Sequence, residues 1–130
     1  MTKVLIVEDD VLNRMFYQAV FADRGFETVM VEDGAQVHEE VRRFLPDLIT
    51  MDIQLPNVSG RQLIKELRQN PATRDIPVLA ITAFAGPSEE RRLRRAGASG
   101  YLSKPVTISR LLGEVDALLT SASATRPATH

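Results

Sequence analysis

The stretch Leu48–Pro56 reads LITMDIQLP, in which four apolar or β-branched residues are followed by an acid, Asp52. Such a run predicts a short buried strand. Burying a carboxylate costs free energy unless nearby groups compensate for its charge. We therefore expect Asp52 to lie at the end of a buried strand, beside other groups whose chemistry needs a charge at that place.

Four similar runs predict further strands: Val4–Val7, Thr28–Val31, Val78–Ile81 and the shorter Tyr101–Leu102. Between the strands, apolar residues recur three and four positions apart, as in Leu12–Val20 and Ile108–Leu119, which predicts amphipathic helices. Strands and helices alternate strictly along the chain. This alternation predicts an α/β fold, a (βα)5 domain in which right-handed crossovers build a doubly wound, five-stranded parallel sheet.

Polar and turn residues mark the ends of the predicted helices. Asp10 is placed to cap the first helix and Thr107 or Ser109 the last, while Pro87 fits the first turn of the fourth helix and Gly97 its end. The final stretch, TSASATRPATH, has neither helical periodicity nor apolar content. We expect one domain over residues 1–119 and a disordered C-terminal tail over residues 120–130.

The composition restricts the classes of function. The 130 residues carry a net charge of -1 and are 44% hydrophobic, which is typical of one soluble domain without a general attraction to nucleic acid or membrane. The absence of cysteine excludes disulfides and thiolate metal sites, and His38 and His130 alone make a poor zinc site. No segment resembles a signal peptide or approaches the roughly 18 apolar residues of a membrane span. We expect a cytoplasmic protein without membrane insertion.

Chemically active side chains follow four of the five predicted strands. They are Glu8, Asp9 and Asp10 after the first strand, Asp52 after the third, Thr82 and Ala83 after the fourth, and Ser103 and Lys104 after the fifth. In a doubly wound sheet the carboxyl ends of the strands share one edge, where binding sites form. The sequence therefore predicts that acids, a hydroxyl and a lysine converge, with Asp10 serving as a helix cap rather than a metal ligand.

The predicted cluster of acids needs a cation. Two carboxylates about 4 Å apart repel by roughly 4 kcal/mol at an effective dielectric constant of about 20. Mg²⁺ takes oxygen ligands and combines carboxylates with a phosphate oxygen, and Mn²⁺ could substitute for it. Lys104 and Thr82 would then face an anion that forms at Asp52. This combination indicates phosphoryl transfer, in which an ionised carboxylate is already a competent nucleophile.

Each of these residues has a simpler interpretation when it is taken alone. Asp52 would be a turn or capping acid, Thr82 a strand-end residue and Lys104 a loop residue. The ring of Tyr101 would be half-buried for its area alone. The joint occurrence of Asp52, Thr82 and Lys104 with the acids of VEDD favours the functional interpretation of these residues, and for Tyr101 both interpretations stay open.

Four motifs carry a resemblance to a known family. They are VEDD at 7–10, MDIQLP at 51–56, the TA within ITAFA at 81–85, and SKP at 103–105. Over about residues 3–119 the chain resembles the receiver domain of two-component response regulators, the CheY-like superfamily, in its single-domain type. The resemblance implies a flavodoxin-like strand order, 2-1-3-4-5. It also implies a signalling switch that is not an enzyme beyond its own phosphorylation and slow dephosphorylation.

The resemblance further implies roles for the acids. Asp52 would be the phosphoacceptor, and its donor would be the phosphohistidine of a histidine kinase or a histidine phosphotransfer protein. Glu8, Asp9, Asp52 and the backbone carbonyl of Gln54 would hold Mg²⁺.

Four other residues would respond to the new phosphoryl group. By the same resemblance, Thr82 and the backbone amide of Ala83 would bind its oxygens. Lys104, joined to Pro105 by a cis peptide bond, would pair with another oxygen. Tyr101 would be an aromatic switch that turns inward as Thr82 moves.

The run EERRLRRAG places four arginines on the fourth helix, Arg91, Arg92, Arg94 and Arg95. Such a run is ordinarily the solvated face of an amphipathic helix. The resemblance implies that the fourth helix, fifth strand and fifth helix report phosphorylation, so these guanidinium groups could dock an acidic downstream protein. Both interpretations stay open.

Two other function classes compete with the phosphorylation switch. A small Mg²⁺-dependent aspartyl phosphatase would carry a second carboxylate two residues after the nucleophile, where this chain has Gln54. An adaptor or nucleic-acid binder would act through the basic fourth helix, but the near-neutral charge and the absence of a recognition motif disfavour DNA binding. The sequence therefore favours the switch.

Overall fold

Five parallel strands form one sheet in the order β2-β1-β3-β4-β5, which confirms the predicted fold class and strand order. The computed structural model of the protein describes residues 1–125, with side chains up to Ala122. The elements along the chain are β1 Lys3–Val7, α1 Val11–Asp23, β2 Glu27–Val31, a 3-10 turn Gly34–Gln36, α2 Val37–Phe44, β3 Leu48–Asp52, α3 Gly60–Gln69, β4 Val78–Thr82, α4 Pro87–Ala96, β5 Gly100–Ser103 and α5 Ile108–Thr125.

The two faces of the sheet carry separate apolar cores, because successive side chains of a strand point to opposite faces. Helices α1 and α5 cover the face that includes Val4, Ile6 and Leu48. Helices α2, α3 and α4 cover the face that includes Leu5 and Ile49. The central strand β3 is buried along its whole length. Its last residue therefore lies at the carboxyl edge of the sheet, held from both sides.

The helix ends follow the capping residues that the sequence provides. The carboxylate of Asp10 accepts a hydrogen bond from the Asn13 amide at 2.9 Å, and the hydroxyl of Thr107 accepts one from the Arg110 amide at 3.2 Å. Pro87 opens α4, and Gly97 ends it with φ near 118°, in the left-handed region that favours glycine. The predicted caps are therefore confirmed, with Thr107 rather than Ser109 capping the last helix, which begins at Ile108.

The predicted disordered tail is wrong in its first part. Helix α5 continues through Thr125, and residues 126–130 lie outside the described residues. Leu118 and Leu119 pack against the core on the α1 and α5 face, so the helix is already anchored where the apolar pattern ends. The alanines that follow are good helix formers, and the serines and threonines are tolerated. Within residues 1–125, no helix has the length and apolar content needed to cross a bilayer.

A guanidinium group ties together three chain segments at the amino edge of the sheet, opposite the acids. Arg68 on α3 donates hydrogen bonds to the carbonyls of Arg74, Ile76 and Gly97 at 2.9, 2.7 and 2.8 Å, and to the hydroxyl of Ser99 at 3.1 Å. These acceptors precede β4 and β5. We call this arrangement the Arg68 clasp.

Candidate functional site

The three predicted acids meet at the carboxyl edge of the sheet. Glu8 and Asp9 follow β1, Asp52 ends β3, and one carboxylate oxygen from each lies within 4.8 Å of the others. Glu8 and Asp52 are buried, with relative exposures of 1% and 2%, whereas Asp9 is exposed. The cluster therefore has two charges removed from water and one that faces it.

Lys104 is the cation beside this cluster. Its Nζ lies 3.4 Å from Glu8 Oε1 and 3.5 Å from Asp52 Oδ1. One lysine does not balance three carboxylates, and Glu8 Oε1, although it faces this ammonium group, makes no hydrogen bond among the described residues. Burial first, and then the adjacent Asp52 carboxyl group, raise the pKa of Glu8 to about 7, against the lowering effects of the Asp10 amide and Lys104.

The chemistry of the donors fits a hard divalent cation. Three clustered carboxylates face one ammonium group, and the buried Glu8 Oε1 pairs with Lys104 but makes no hydrogen bond in the described part of the chain, so the cluster is short of positive charge. Oxygen donors without nitrogen or sulfur match the ligand preference of Mg²⁺. The residues present therefore could hold such an ion.

Backbone contacts fix the loop that carries the acids. Arg14 on α1 donates to the carbonyls of Glu8 and Asp9 at 3.1 and 2.9 Å, and its other amino group pairs with Glu32 after β2 at 3.3 Å. On the other side of the site, a Cβ at Gly60 would lie 2.3 Å from the Asp52 carbonyl oxygen, so the first residue of α3 has no room for a side chain. Helix α1 therefore fixes the loop of Glu8 and Asp9, and the start of α3 packs directly against the backbone of Asp52.

A hydrogen-bond network joins Thr82 and Ala83 to two other segments. The side chain of Gln54 accepts from the Ala83 amide at 2.7 Å and donates to the Thr82 hydroxyl at 3.0 Å. The Thr82 hydroxyl donates to Glu89 at 2.9 Å and accepts from the Phe84 amide at 3.1 Å. The backbone amide of Gln54 in turn donates to Asp52 Oδ1 at 3.1 Å. The network therefore extends from Asp52 to α4.

The remaining residues of the site are Pro105, Tyr101 and Phe84. The peptide bond between Lys104 and Pro105 is cis, which confirms that expectation. Tyr101 is half-buried, and its hydroxyl donates to the Phe84 carbonyl at 3.1 Å, so the ring is tied to the loop after β4. Phe84 itself is 61% exposed.

All four arginines of α4 are exposed, but they differ in their pairing. Arg94 pairs with Glu90 at 3.0 Å and also donates to the Ser99 carbonyl at 3.1 Å. Arg92 lies 3.9 Å from Glu89. Arg91 and Arg95 make no ion pair within the described part of the chain, and with Pro87 and Glu90 they line a shallow surface pocket.

Sequence reasoning did not find three contributors to this site, Glu89, Arg14 and Gly60. Glu89 belongs to the charged run EERRLRRAG, and its only local signal is that of an acid in the first turn of a helix. Arg14 follows the acids by one helical turn, a spacing that hints at contact with the loop. Gly60 carries no signal that separates it from an ordinary turn glycine.

The comparisons with known proteins agree with this arrangement. The family model described as response regulator receiver domain matches residues 4–116. The chain belongs to the response regulator receiver family of two-component signalling. Members of this family are regulators that act with a phosphodonor kinase or phosphotransfer protein, and they bind Mg²⁺ at an acidic pocket.

Individual relatives and solved structures support the same family and fold. The chain is 41% identical over 120 residues to the polar-differentiation response regulator DivK of Brucella ovis, covering 92% of this chain and 98% of the relative, and 40% identical over 116 residues to that of Brucella anthropi, covering 89% and 94%. The solved chemotaxis response regulator CheY4 of Vibrio cholerae has a TM-score of 0.86 at 26% identity, covering 91% of this chain and 98% of that one. A CheY-like receiver domain protein from Methanospirillum hungatei, at 21% identity and TM-score 0.89 over 97% of this chain and 99% of that one, supports the fold alone.

Proposed function

We propose that the protein is a phosphorylation switch in which Asp52 accepts a phosphoryl group from a phosphohistidine. A carboxylate oxygen of Asp52 attacks phosphorus, the bond from phosphorus to the imidazole nitrogen breaks, and an acyl phosphate forms while the imidazole departs. The observation that carries the proposal is the convergence of buried Asp52 with Glu8, Asp9 and Lys104 at one edge of the sheet.

The acids are proposed to hold the metal. Glu8, Asp9 and Asp52, with the backbone carbonyl of Gln54, would be the protein ligands of Mg²⁺. The bound ion would supply charge neutralisation for the phosphoryl oxygens. The excess of three carboxylates over one lysine supports this assignment, because ionising the buried Glu8 with Lys104 as the one cation that the described residues bring to the whole cluster is costly.

Three groups are proposed to bind the phosphoryl oxygens: the Thr82 hydroxyl, the Ala83 amide and the Lys104 ammonium. Lys104 already lies beside Asp52, whereas the other two donors are engaged by Gln54 and Glu89. Tyr101 is proposed to turn inward when Thr82 moves. Its hydroxyl now donates to the Phe84 carbonyl, and this hydrogen bond would break when the ring turns.

An exposed apolar surface on α1 supports docking of the phosphodonor. Val11, Leu12 and Met15 are 53%, 72% and 58% exposed and directly follow the acid loop. Exposed apolar side chains grouped on one helix favour contact with another protein. We infer that the kinase or phosphotransfer protein packs here while its phosphohistidine reaches Asp52.

The central claim is tested by intact-mass measurement after incubation with acetyl phosphate and Mg²⁺. The native chain is expected to gain one phosphoryl group and Asp52→Asn none, because an amide is not a nucleophile at this site. Asp33→Asn, which changes an exposed acid that caps the 3-10 turn, should behave as the native chain. Labelling of Asp52→Asn to the native extent would refute the assignment.

The output surface is proposed to include Arg91 and Arg95 of α4, which make no ion pair with the residues that the structure describes. Arg91→Glu combined with Arg95→Glu is expected to reduce recovery of downstream proteins from a lysate of the source organism by about tenfold, since reversal turns attraction to an acidic partner into repulsion. The bait is the protein carrying beryllofluoride, a phosphoryl mimic, and bound proteins are quantified by mass spectrometry. Reversal of the exposed Arg42 and Arg43 on α2 is the matched control. Equal recovery by both variants would contradict the proposal.

We infer no turnover of phosphate esters and no direct DNA contact. The residue two positions after Asp52 is Gln54, whose carboxamide is bound to Thr82 and Ala83 and is too weakly acidic to serve as a general acid. The likeness to the polar-differentiation regulators of Brucella supports a role in developmental or cell-cycle control.

A further inference from the structure

The hydroxyl of Thr82 makes three hydrogen bonds, which use its whole capacity. It donates its proton to Glu89 Oε2 at 2.9 Å and accepts from Gln54 Nε2 and the Phe84 amide at 3.0 and 3.1 Å. A threonine hydroxyl has one proton and two lone pairs. Because Thr82 is fully buried, water does not compete for it. The hydroxyl therefore has no proton for a phosphoryl oxygen while its bond to Glu89 lasts.

The two groups that engage the phosphoryl-binding donors differ in how easily they are released. Gln54, which occupies the Ala83 amide, is an exposed residue, so water can replace its hydrogen bonds at little cost. Glu89 is ionisable and its side chain is only 12% exposed. A hydrogen bond to a charged, half-buried carboxylate is stronger than one between neutral groups in water. Glu89 is therefore the stronger of the two restraints.

We propose that Glu89 is a positioning residue that holds the Thr82 hydroxyl in the unphosphorylated protein and releases it when a phosphoryl group forms on Asp52. The inference rests on the proposed function, because it takes Thr82 as a ligand of the phosphoryl oxygens. Glu89 and the phosphoryl group then compete for the one proton of the Thr82 hydroxyl. The hydrogen bond to Glu89 has to be given up, which reduces the free energy gained when Thr82 binds the phosphoryl group.

Release of Thr82 changes the charge pairing on α4. Glu89 lies in the first turn of this helix, and its second carboxylate oxygen is 3.9 Å from the guanidinium of Arg92. A carboxylate freed from Thr82 and repelled by the phosphoryl group has Arg92 as its nearest cation. Glu89 therefore connects events at Asp52 to the arginine-bearing surface of α4.

The test is the affinity of the full chain for beryllofluoride in the presence of Mg²⁺, measured by fluorine NMR. Glu89→Ala is expected to bind this mimic about tenfold more tightly than the native protein, since no charged hydrogen bond has to be broken first. Glu89→Gln should lie between the two, because its carboxamide oxygen still accepts from Thr82 without a full charge. Glu90→Gln, the neighbouring acid paired with Arg94, should bind within twofold of the native protein.

A double-mutant cycle separates this role from a general effect on folding. In a Thr82→Ala background, Glu89→Ala should leave the affinity for beryllofluoride unchanged, because there is no hydroxyl to release. Equal or weaker binding by Glu89→Ala, or the same gain with and without the Thr82 hydroxyl, would overturn the inference. Failure of the native protein to bind the mimic, or undiminished binding by Asp52→Asn, would instead overturn the proposed function.

Discussion

In the absence of divalent metal, the free energy of unfolding is expected to fall by about 3 kcal/mol as the pH rises from about 4.5 to above 7. Glu8 has a pKa of about 7 in the folded protein and 4.5 in the unfolded chain. The folded state therefore binds more protons between these values, so its stability is fully present below pH 4.5 and is lost as the pH passes 7. Urea unfolding followed by circular dichroism, with EDTA present, measures this slope.

Two variants test whether Glu8 causes this pH dependence of the free energy of unfolding. Glu8→Gln should be more stable than the native protein above pH 7 and should lack the excess pH dependence, whereas Glu27→Gln, an exposed acid on β2, should keep it. Saturating Mg²⁺ should flatten the native curve, because an ionised Glu8 then has a divalent cation in addition to Lys104. Coinciding slopes for the native protein and Glu8→Gln would show that the burial of Glu8 is not the cause.

Loss of the Arg68 clasp is expected to destabilise the protein strongly, although no core side chain is removed. Arg68→Met keeps the apolar stem but removes four hydrogen bonds from a charged donor, and it leaves three carbonyls without this partner while the Ser99 hydroxyl keeps its bond from the Val78 amide. We expect the free energy of unfolding to fall by about 3 kcal/mol. Arg68→Lys should lose less, because an ammonium group retains the charge but reaches fewer of the acceptors. Urea unfolding at constant pH measures both variants.

The matched control for the clasp lies on the same helix. Arg61 on α3 is exposed, and Arg61→Met should change the stability by no more than about 0.5 kcal/mol. Equal losses of unfolding free energy in Arg68→Met and Arg61→Met would contradict the prediction. Water would then form hydrogen bonds with the carbonyls that Arg68 now contacts.

The fold and the convergence of acids were predictable because both depend on local pattern and on topology. Alternating strands and helices admit few arrangements other than a parallel sheet, and a parallel sheet brings the ends of all strands to one edge. Asp52, Thr82 and Lys104 each follow a strand, so their sequence positions alone predicted that they would meet. The structure places Lys104 beside Asp52, as that reasoning requires.

The contacts that were not predicted depend on the paths of loops and on long side chains. Glu89 reaches Thr82 because the loop after β4 turns the chain back at Gly86, which has φ near 117°. The acceptors of Arg68 are up to 31 positions away in sequence and are mostly backbone carbonyls, which every residue carries. The helical end of α5 was missed because its serines and alanines lack an apolar stripe, and the anchor comes from Leu118 and Leu119 before them.

The tie between Tyr101 and the loop after β4 gives the protein an intrinsic optical reporter. The chain has no tryptophan and two tyrosines, so its ultraviolet emission comes from Tyr17 and Tyr101. Tyr17 is buried at 2% exposure, and burial, with the nearby Glu8 and Asp52, raises the pKa of its phenol above the ordinary value. Tyr101 is half-buried and donates to the Phe84 carbonyl. Because Tyr17 lies near Glu8 and Asp52, the part of a fluorescence change that Tyr101→Phe abolishes reports the surroundings of Tyr101, without any added label.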